Sequence, residues 1–501
     1  METKSNAMTE IVYGGSITFL GVILSYAISF IYQVIAARYL GVEQFGVLSV
    51  GVMVMSVCLT ISQLGLAQGA KKFVAFYISH KDNARVKGVL ILTLGLTTAI
   101  SVVLGTIIFL TSKALAVIIL GTSTAVPVIR VFALALPFGT FIIVTNELFI
   151  AYKKPIYRIV TEAVSDKGIR VALLSVVVLA GGGLLIVSYA YLAAMVITAI
   201  IGYFLLHRLI DHKVSVKVEH RHIIYFSLPL FMAAIVGEVT RRIDKLLVGH
   251  FLGSVDLGVY IVAYTLAEML TLGLTSLATL YYPIIVGLDG RMRFIGDIYS
   301  SLTRLSLIVT LPIFLFIIFF PGLILGRIYG EDYSSGALPL VIISSAHILT
   351  IMLGPSTATL EALGRTKRIL YAGVISTPVN IILLIILTPK IGIIGTAISA
   401  FIALLLQHLV LFAEVKKIVG FKIMFKPYFG IFFSGFMAII LVYIITRVLI
   451  IQGIIALIAT FLAFFILYFL FLLLFRAFRE EDKIILNEIL LRIRKSMQDK
   501  N

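Results

Sequence analysis

What most limits the fold of this chain is a train of apolar runs, each about 20 residues long, recurring from one end to the other. A helix rises about 1.5 Å per residue and the hydrocarbon core of a bilayer is about 30 Å thick, so one such run is one crossing. About fourteen crossings are predicted by that length rule. They begin with Ile11–Ala37 and Phe45–Ala70, pass through Tyr157–Ala180 and Ile223–Gly249, and end with Tyr428–Leu449 and Gly453–Phe475. Hydrophobic residues make up 60% of the chain and charged ones 13%, which excludes an ordinary soluble domain. The first run is too long for the core of a signal peptide and lacks a small-residue cleavage site, so it is expected to stay as a spanning helix. The expectation is an all-α polytopic membrane protein.

The net charge of +17 points first to nucleic acid, but the placement of the charge argues otherwise. With the N-terminus inside, 29 of the 41 Lys and Arg fall in inner loops and termini, and five in outer loops. That asymmetry is the positive-inside pattern; it puts both termini in the cytoplasm of a plasma-membrane protein and needs no nucleic-acid partner. The single cysteine, Cys58, allows no intrachain disulfide and no thiolate metal site. His207, His212, His220 and His222 cluster around one inner loop without the spacing of a ligand set. No phosphate-binding Gly-Lys-Ser/Thr loop and no nucleophile–His pairing is present, so neither an enzyme, a metal nor a cofactor is expected.

The chain repeats itself. Arg38-Tyr-Leu-Gly-Val-Glu-Gln-Phe-Gly-Val matches His250-Phe-Leu-Gly-Ser-Val-Asp-Leu-Gly-Val, an offset of 212 residues. The same offset lays Leu148-Phe-Ile-Ala-Tyr-Lys-Lys on Leu360-Glu-Ala-Leu-Gly-Arg-Thr. Six helices separate the copies, so both run in one direction, which predicts two six-helix lobes related by an axis along the membrane normal with the solute path between them. The expected divisions are an N-terminal lobe at 10–207, a cytoplasmic linker at 208–222, a C-terminal lobe at 223–416, two further helices at 427–477 and an amphipathic cytoplasmic tail at 480–501. The repeated glycines also have a local reading, as residues that end a helix and turn the chain.

Charges inside the apolar runs are the candidates for function, because each costs roughly 2.5–3.5 kcal/mol near a bilayer centre. The seventh run carries Glu238, Arg241, Arg242, Asp244 and Lys245. At 100° per residue, Arg241, Glu238, Arg242 and Lys245 share an arc of about 100°, with Asp244 at its edge. The fifth run carries Glu162, Asp166, Lys167 and Arg170, with Asp166 and Arg170 at i,i+4, and the eighth carries Glu268. One reading is that these groups pair and lock helix register. The other is that surplus guanidinium awaits an anion, for which phosphate matches its planar fork.

Several motifs together resemble the polysaccharide-biosynthesis flippases, the O-antigen (Wzx-type) translocases of the multidrug/oligosaccharidyl-lipid/polysaccharide exporter superfamily. They are the two Leu-Gly-four-residue-Gly turns, Arg242-Ile-Asp-Lys-Leu-Leu-Val-Gly, Leu363-Gly-Arg-Thr-Lys, and Thr388-Pro-Lys-Ile-Gly-Ile-Ile-Gly-Thr-Ala-Ile with Asn380 upstream. The resemblance covers about residues 10–475 and implies a MATE-like fold of two six-helix bundles with two extra C-terminal helices. It also implies a transporter that flips oligosaccharide on a polyprenyl phosphate or pyrophosphate from the cytoplasmic to the outer leaflet. On that likeness Arg170, Arg241, Arg242 and Lys245 would hold phosphate, while Asp166, Glu238, Asp244 and Glu268 would organise the cations or carry a coupling proton. Tyr26, Gln33, Gln63 and Asn146 would face the sugar. Partners implied are the lipid-linked oligosaccharide, membrane lipids, and glycosyltransferases or a polymerase of the same pathway. Two alternatives stay open: a cation-coupled multidrug antiporter, against which the absence of charge from Ile11–Ala37 counts, and a non-transporting scaffold subunit of a glycan-assembly complex.

Overall fold

A straight helix over Thr366–Val419, 54 residues, would be about 80 Å long, far more than one bilayer. The chain does not run straight there. The hydroxyls of Thr388 and Thr396 hydrogen-bond at 3.0 Å, whereas eight residues of unbroken helix would hold them about 12 Å apart. The backbone leaves helical geometry at Ile391 and Gly392, and the helix doubles back. Glu2–Gln63 and His220–Glu268 are interrupted in the same way, at Gly41 and Gly253.

This computed structural model describes residues 2–210, 214–217, 220–288, 292–420, 426–448 and 453–475; the tail expected at 480–501 lies outside the described residues. Divided at its turns, the described chain holds fourteen crossings and no strand. They are α1 (2–40), α2 (42–79, with a break at 64–65), α3 (Asn83–Leu120), α4 (Val126–Ala151), α5 (155–179), α6 (Leu184–His207) and α7 (220–252). There follow α8 (254–287), α9 (Met292–Phe319), α10 (337–362, broken at 353–355), α11 (366–390), α12 (393–419), α13 (Lys426–Val448) and α14 (Gly453–Leu474). A short helix, Pro321–Ile328, and a 3₁₀ turn, Glu331–Gly336, join α9 to α10.

The chain forms two compact units, Met1–Gly258 and Val259–Asn501, so α7 and the turn after it belong with α1–α6. In the first unit α3 packs on α4 and α4 on α6. Leu66, Val74 and Tyr77 of α2 meet Val86 and Leu90 of α3 and Phe149 of α4 in a buried cluster that Ile223 of α7 completes. In the second unit Tyr281 of α8 and Tyr299 of α9 join Leu360, Ala372 and Leu411 in a comparable cluster, where the Tyr281 hydroxyl lies 2.8 Å from Thr359 Oγ1. The last two helices lie on α9: Phe316 meets Phe461 edge-on at 5.1 Å, and Tyr468 donates to the Ile308 carbonyl at 3.1 Å. Ile455, Ile466 and Leu473 point outward, as lipid-facing residues do.

The two copies of the Leu-Gly turn have the same backbone. Gly41 sits at φ 73°, ψ 174° and Gly253 at φ 86°, ψ −169°, a region essentially restricted to glycine. The second glycine of each motif makes a reciprocal contact. A Cβ on Gly46 would run into the Ser254 carbonyl oxygen, and one on Gly258 into that of Val42. Since 254 and 42 also differ by 212, each copy rests on the same point of the other. At the opposite ends of α4 and α10 the match slips by one. The left-handed residue is Lys153 in one copy and Gly364 in the other, both capped by the same pair of backbone hydrogen bonds, so the local offset is 211 and not 212.

Candidate functional site

Two charged strips run through the first unit. The one on α5 follows a change of helix type: Pro155–Ile159 is α, Val160–Ile169 is π-helical, and Arg170–Leu179 is α again. The wider turn brings its acids and bases into a ladder with α2 and α4. Lys71 is 2.5 Å from Glu147; Arg158 is 3.9 Å from Glu147 and 2.9 Å from Glu162; Lys167 is 3.8 Å from Glu162. Beyond it Arg170 pairs with Asp166, one guanidinium to one carboxylate. The guanidinium carbon lies 3.7 Å from the centre of the Tyr191 ring and 5.9 Å from that of Tyr32, a stacking that stabilises a desolvated cation by about 2 kcal/mol. Arg170 Nε and the Tyr32 hydroxyl are buried and make no hydrogen bond among the described residues. Phe132 supports Tyr191 from the side at 4.9 Å.

The strip on α7 is balanced differently. Glu238 is 6% exposed and takes both neighbouring arginines, Arg241 at 2.6 Å on one oxygen and Arg242 on the other. Two guanidiniums on one carboxylate leave a positive charge over. Arg241 is 65% exposed, so its fork has donors to spare, whereas Arg242 is half-buried. Lys245 Nζ donates to the Arg241 carbonyl at 3.3 Å, and Asp244 is buried beside them. An arginine matched one-to-one, such as Arg170, has less left for an anion than a pair sharing a single acid. The geometry therefore makes Arg241 and Arg242 stronger candidates than Arg170 for holding an anion.

The sequence profile of a family described as polysaccharide biosynthesis protein matches residues 11–288, more than half of the chain and all of both strips. The chain belongs to that family. Within the wider group, a probable low-salt glycan biosynthesis flippase, Agl15, of Haloferax volcanii is 27% identical over 233 residues, 44% of this chain and 48% of that one. This chain thus spans about half the length of that relative. Among solved structures, the lipid II flippase MurJ in an inward closed conformation superposes with a TM-score of 0.75 at 16% identity, over 92% of this chain and 98% of that one. An inward-facing multidrug resistance MATE family transporter of the MOP superfamily gives 0.66 at 15% identity, over 78% and 94%. The fold is MATE-like.

The remaining residues expected at the site of this polysaccharide-biosynthesis protein are dispersed. Gln63 Nε2 donates to Leu59 of its own helix at 2.9 Å, and Asn146 accepts from Thr161 on α5, so both are committed to protein partners. Tyr26 is half-exposed on α1, with Gln33 two turns further on. Glu268 belongs to the second unit, exposed where α8 tightens into the 3₁₀ turn Met269–Thr271. Sequence reasoning missed Tyr32 and Tyr191, the rings that hold Arg170. Their one signal is that each is an aromatic hydroxyl in a largely aliphatic run, which core packing explains equally well.

Proposed function

We propose that this membrane protein flips an oligosaccharide, carried on a polyprenyl phosphate or pyrophosphate, from the inner to the outer leaflet of the plasma membrane. The observation that carries the reading is the shared carboxylate on α7: Glu238 balances only one of Arg241 and Arg242, and the more exposed of the two keeps free donors. A guanidinium fork binds phosphate in a bidentate way that an ammonium or a neutral group does not match. The names of the Haloferax relative and of the superposed lipid II flippase support the same class of substrate. Arg241 and Arg242 take the phosphate with Lys245 beside them, and Arg170, held by Asp166 and two tyrosines, steadies α5. Glu238 and Asp244 set these cations or pass a coupling proton. Both termini face the cytoplasm, where the glycosyltransferases that build the glycan work. The cycle is one of alternating access, with the glycan in water and the polyprenyl chain left in lipid.

Delivery of lipid-linked glycan to the outer leaflet tests this. Arg241→Ala and Arg242→Ala are each expected to lower it about tenfold and the double variant about a hundredfold, the loss of one and two charge-assisted contacts. Arg242→Lys, which keeps the charge without the fork, should fall between. Full delivery by the double variant at normal expression removes the assignment. Raised tolerance to cationic dyes in a sensitised host would favour drug efflux in its place.

A further inference from the structure

In the second unit, two helices lose α geometry where they meet. α8 tightens at Met269–Thr271, and this turn packs against the 337–352 part of α10, which itself breaks at Leu353-Gly354-Pro355. Backbone that leaves the helix inside a membrane survives only where protein covers it or where it borders a watery cavity. Here both conditions are met. On one side the Tyr299 hydroxyl donates to the Leu353 carbonyl and lies 2.7 Å from Ser356 Oγ. Gly354 is at φ +76°, and a Cβ there would fall 2.7 Å from the Tyr299 ring, so the break is built around that tyrosine.

On the other side lies a cavity of about 610 Å³, lined by Thr271, Thr275, His347, Thr350, Ser356 and His408 among others. Its hydroxyls donate along their own helices: Thr271 to Glu268 at 2.7 Å, Thr275 to Thr271 at 3.0 Å, Thr350 to His347 at 2.8 Å. The Thr271 and Thr350 hydroxyls keep lone pairs that accept. His347 is 6% exposed, and its buried Nε2 has no hydrogen-bond partner among the described residues. Nδ1 of His408 lies 3.0 Å from the Leu404 carbonyl; as the donor there, it leaves Nε2 to accept. No Lys or Arg lines the cavity among the described residues, and its one carboxylate, Glu361, is exposed.

That lining offers acceptors to a ligand rich in hydroxyl donors. It provides no cation for a phosphate and no buried carboxylate for a cationic drug. Discontinuous helices are also where transporters of this kind of architecture hold their substrates. We propose that this cavity binds an uncharged polyhydroxyl group, the glycan portion of the carrier-linked substrate, an inference that rests on the flippase function above. His347 Nε2 accepts from a sugar hydroxyl, and the threonine oxygens accept from its neighbours.

The test is photocapture in membranes of the cells that make the glycan, using the full chain with Leu404→p-benzoylphenylalanine and, separately, Gly237→p-benzoylphenylalanine, whose Cβ would start 3.5 Å from the intact Arg241 guanidinium. Mass spectrometry then reads the adducts. A hexose-bearing adduct is expected at 404; adding His347→Phe should cut its yield about tenfold, and adding His347→Gln, which keeps a hydrogen-bonding group, should cut it less. A glycolipid adduct at 237 with none at 404, or a polyprenyl adduct without sugar at 404, overturns the inference and leaves the function standing. No glycolipid at either position removes both.

Discussion

The first and seventh helices are the same piece of chain used twice, and they differ most where function is expected. Both end in the glycine turn at Gly41 and Gly253 with matching backbone angles. At the 212-residue offset Glu238 corresponds to Tyr26, Arg241 to Ser29, Arg242 to Phe30, Asp244 to Tyr32 and Lys245 to Gln33. Every charged position on α7 is neutral on α1. At those five positions α1 makes the same turn and packs its helix without a charge, so the shared turn geometry does not require the charges that α7 carries there. Their cost in a membrane is offset by something other than architecture.

Copying one helix onto the other is the strongest way to break this comparison. A variant with Glu238→Tyr, Arg241→Ser, Arg242→Phe, Asp244→Tyr and Lys245→Gln should insert and purify as a monodisperse protein while glycan delivery falls below detection. A variant that fails to fold would show that the ions are structural after all. The glycine turns come next. Gly41→Ala and Gly253→Ala should each lower stability by about 1–3 kcal/mol, and by similar amounts, because both sit in a region only glycine occupies easily. Thermal unfolding of the purified protein measures it, and a large inequality would mean that the two turns are not equivalent. Tyr191→Leu removes the ring under Arg170 and should cost about 1–2 kcal/mol by the same measurement, with nothing comparable at the α7 pair. The smallest effect is a gain: Lys153→Gly gives one copy the residue its counterpart has at Gly364 and should add about 1 kcal/mol by relieving a left-handed lysine.

Crossings and turns were legible because they are written in composition. An apolar run of spanning length and a glycine between two such runs leave the chain few alternatives, and the 212-residue spacing tied Gly41 to Gly253 from sequence alone. The slip to 211 at Lys153 and Gly364 was hidden because Lys153 occupies a conformation that side chains avoid, and no pattern announces that. Nor was the π-helical stretch Val160–Ile169 visible, since π and α turns differ in which carbonyl closes the ring and not in which residues are apolar. At the candidate site, the sequence placed Arg241, Arg242 and Glu238 on one face. It was silent on how a single acid is divided between two bases, which depends on side-chain rotamers. Tyr32 and Tyr191 were missed because an aromatic ring in an oily helix ordinarily needs no special reason.

The reciprocal seats of Gly46 and Gly258 have a consequence for how such a chain can evolve. Each α-carbon rests on a peptide oxygen, not on a side chain. A bulky neighbour can be trimmed by a second mutation elsewhere, but a carbonyl is common to all twenty amino acids and offers nothing to trim. Damage at either seat is therefore without a compensating partner, and this joint keeps the same glycine in both copies however far the residues around it diverge.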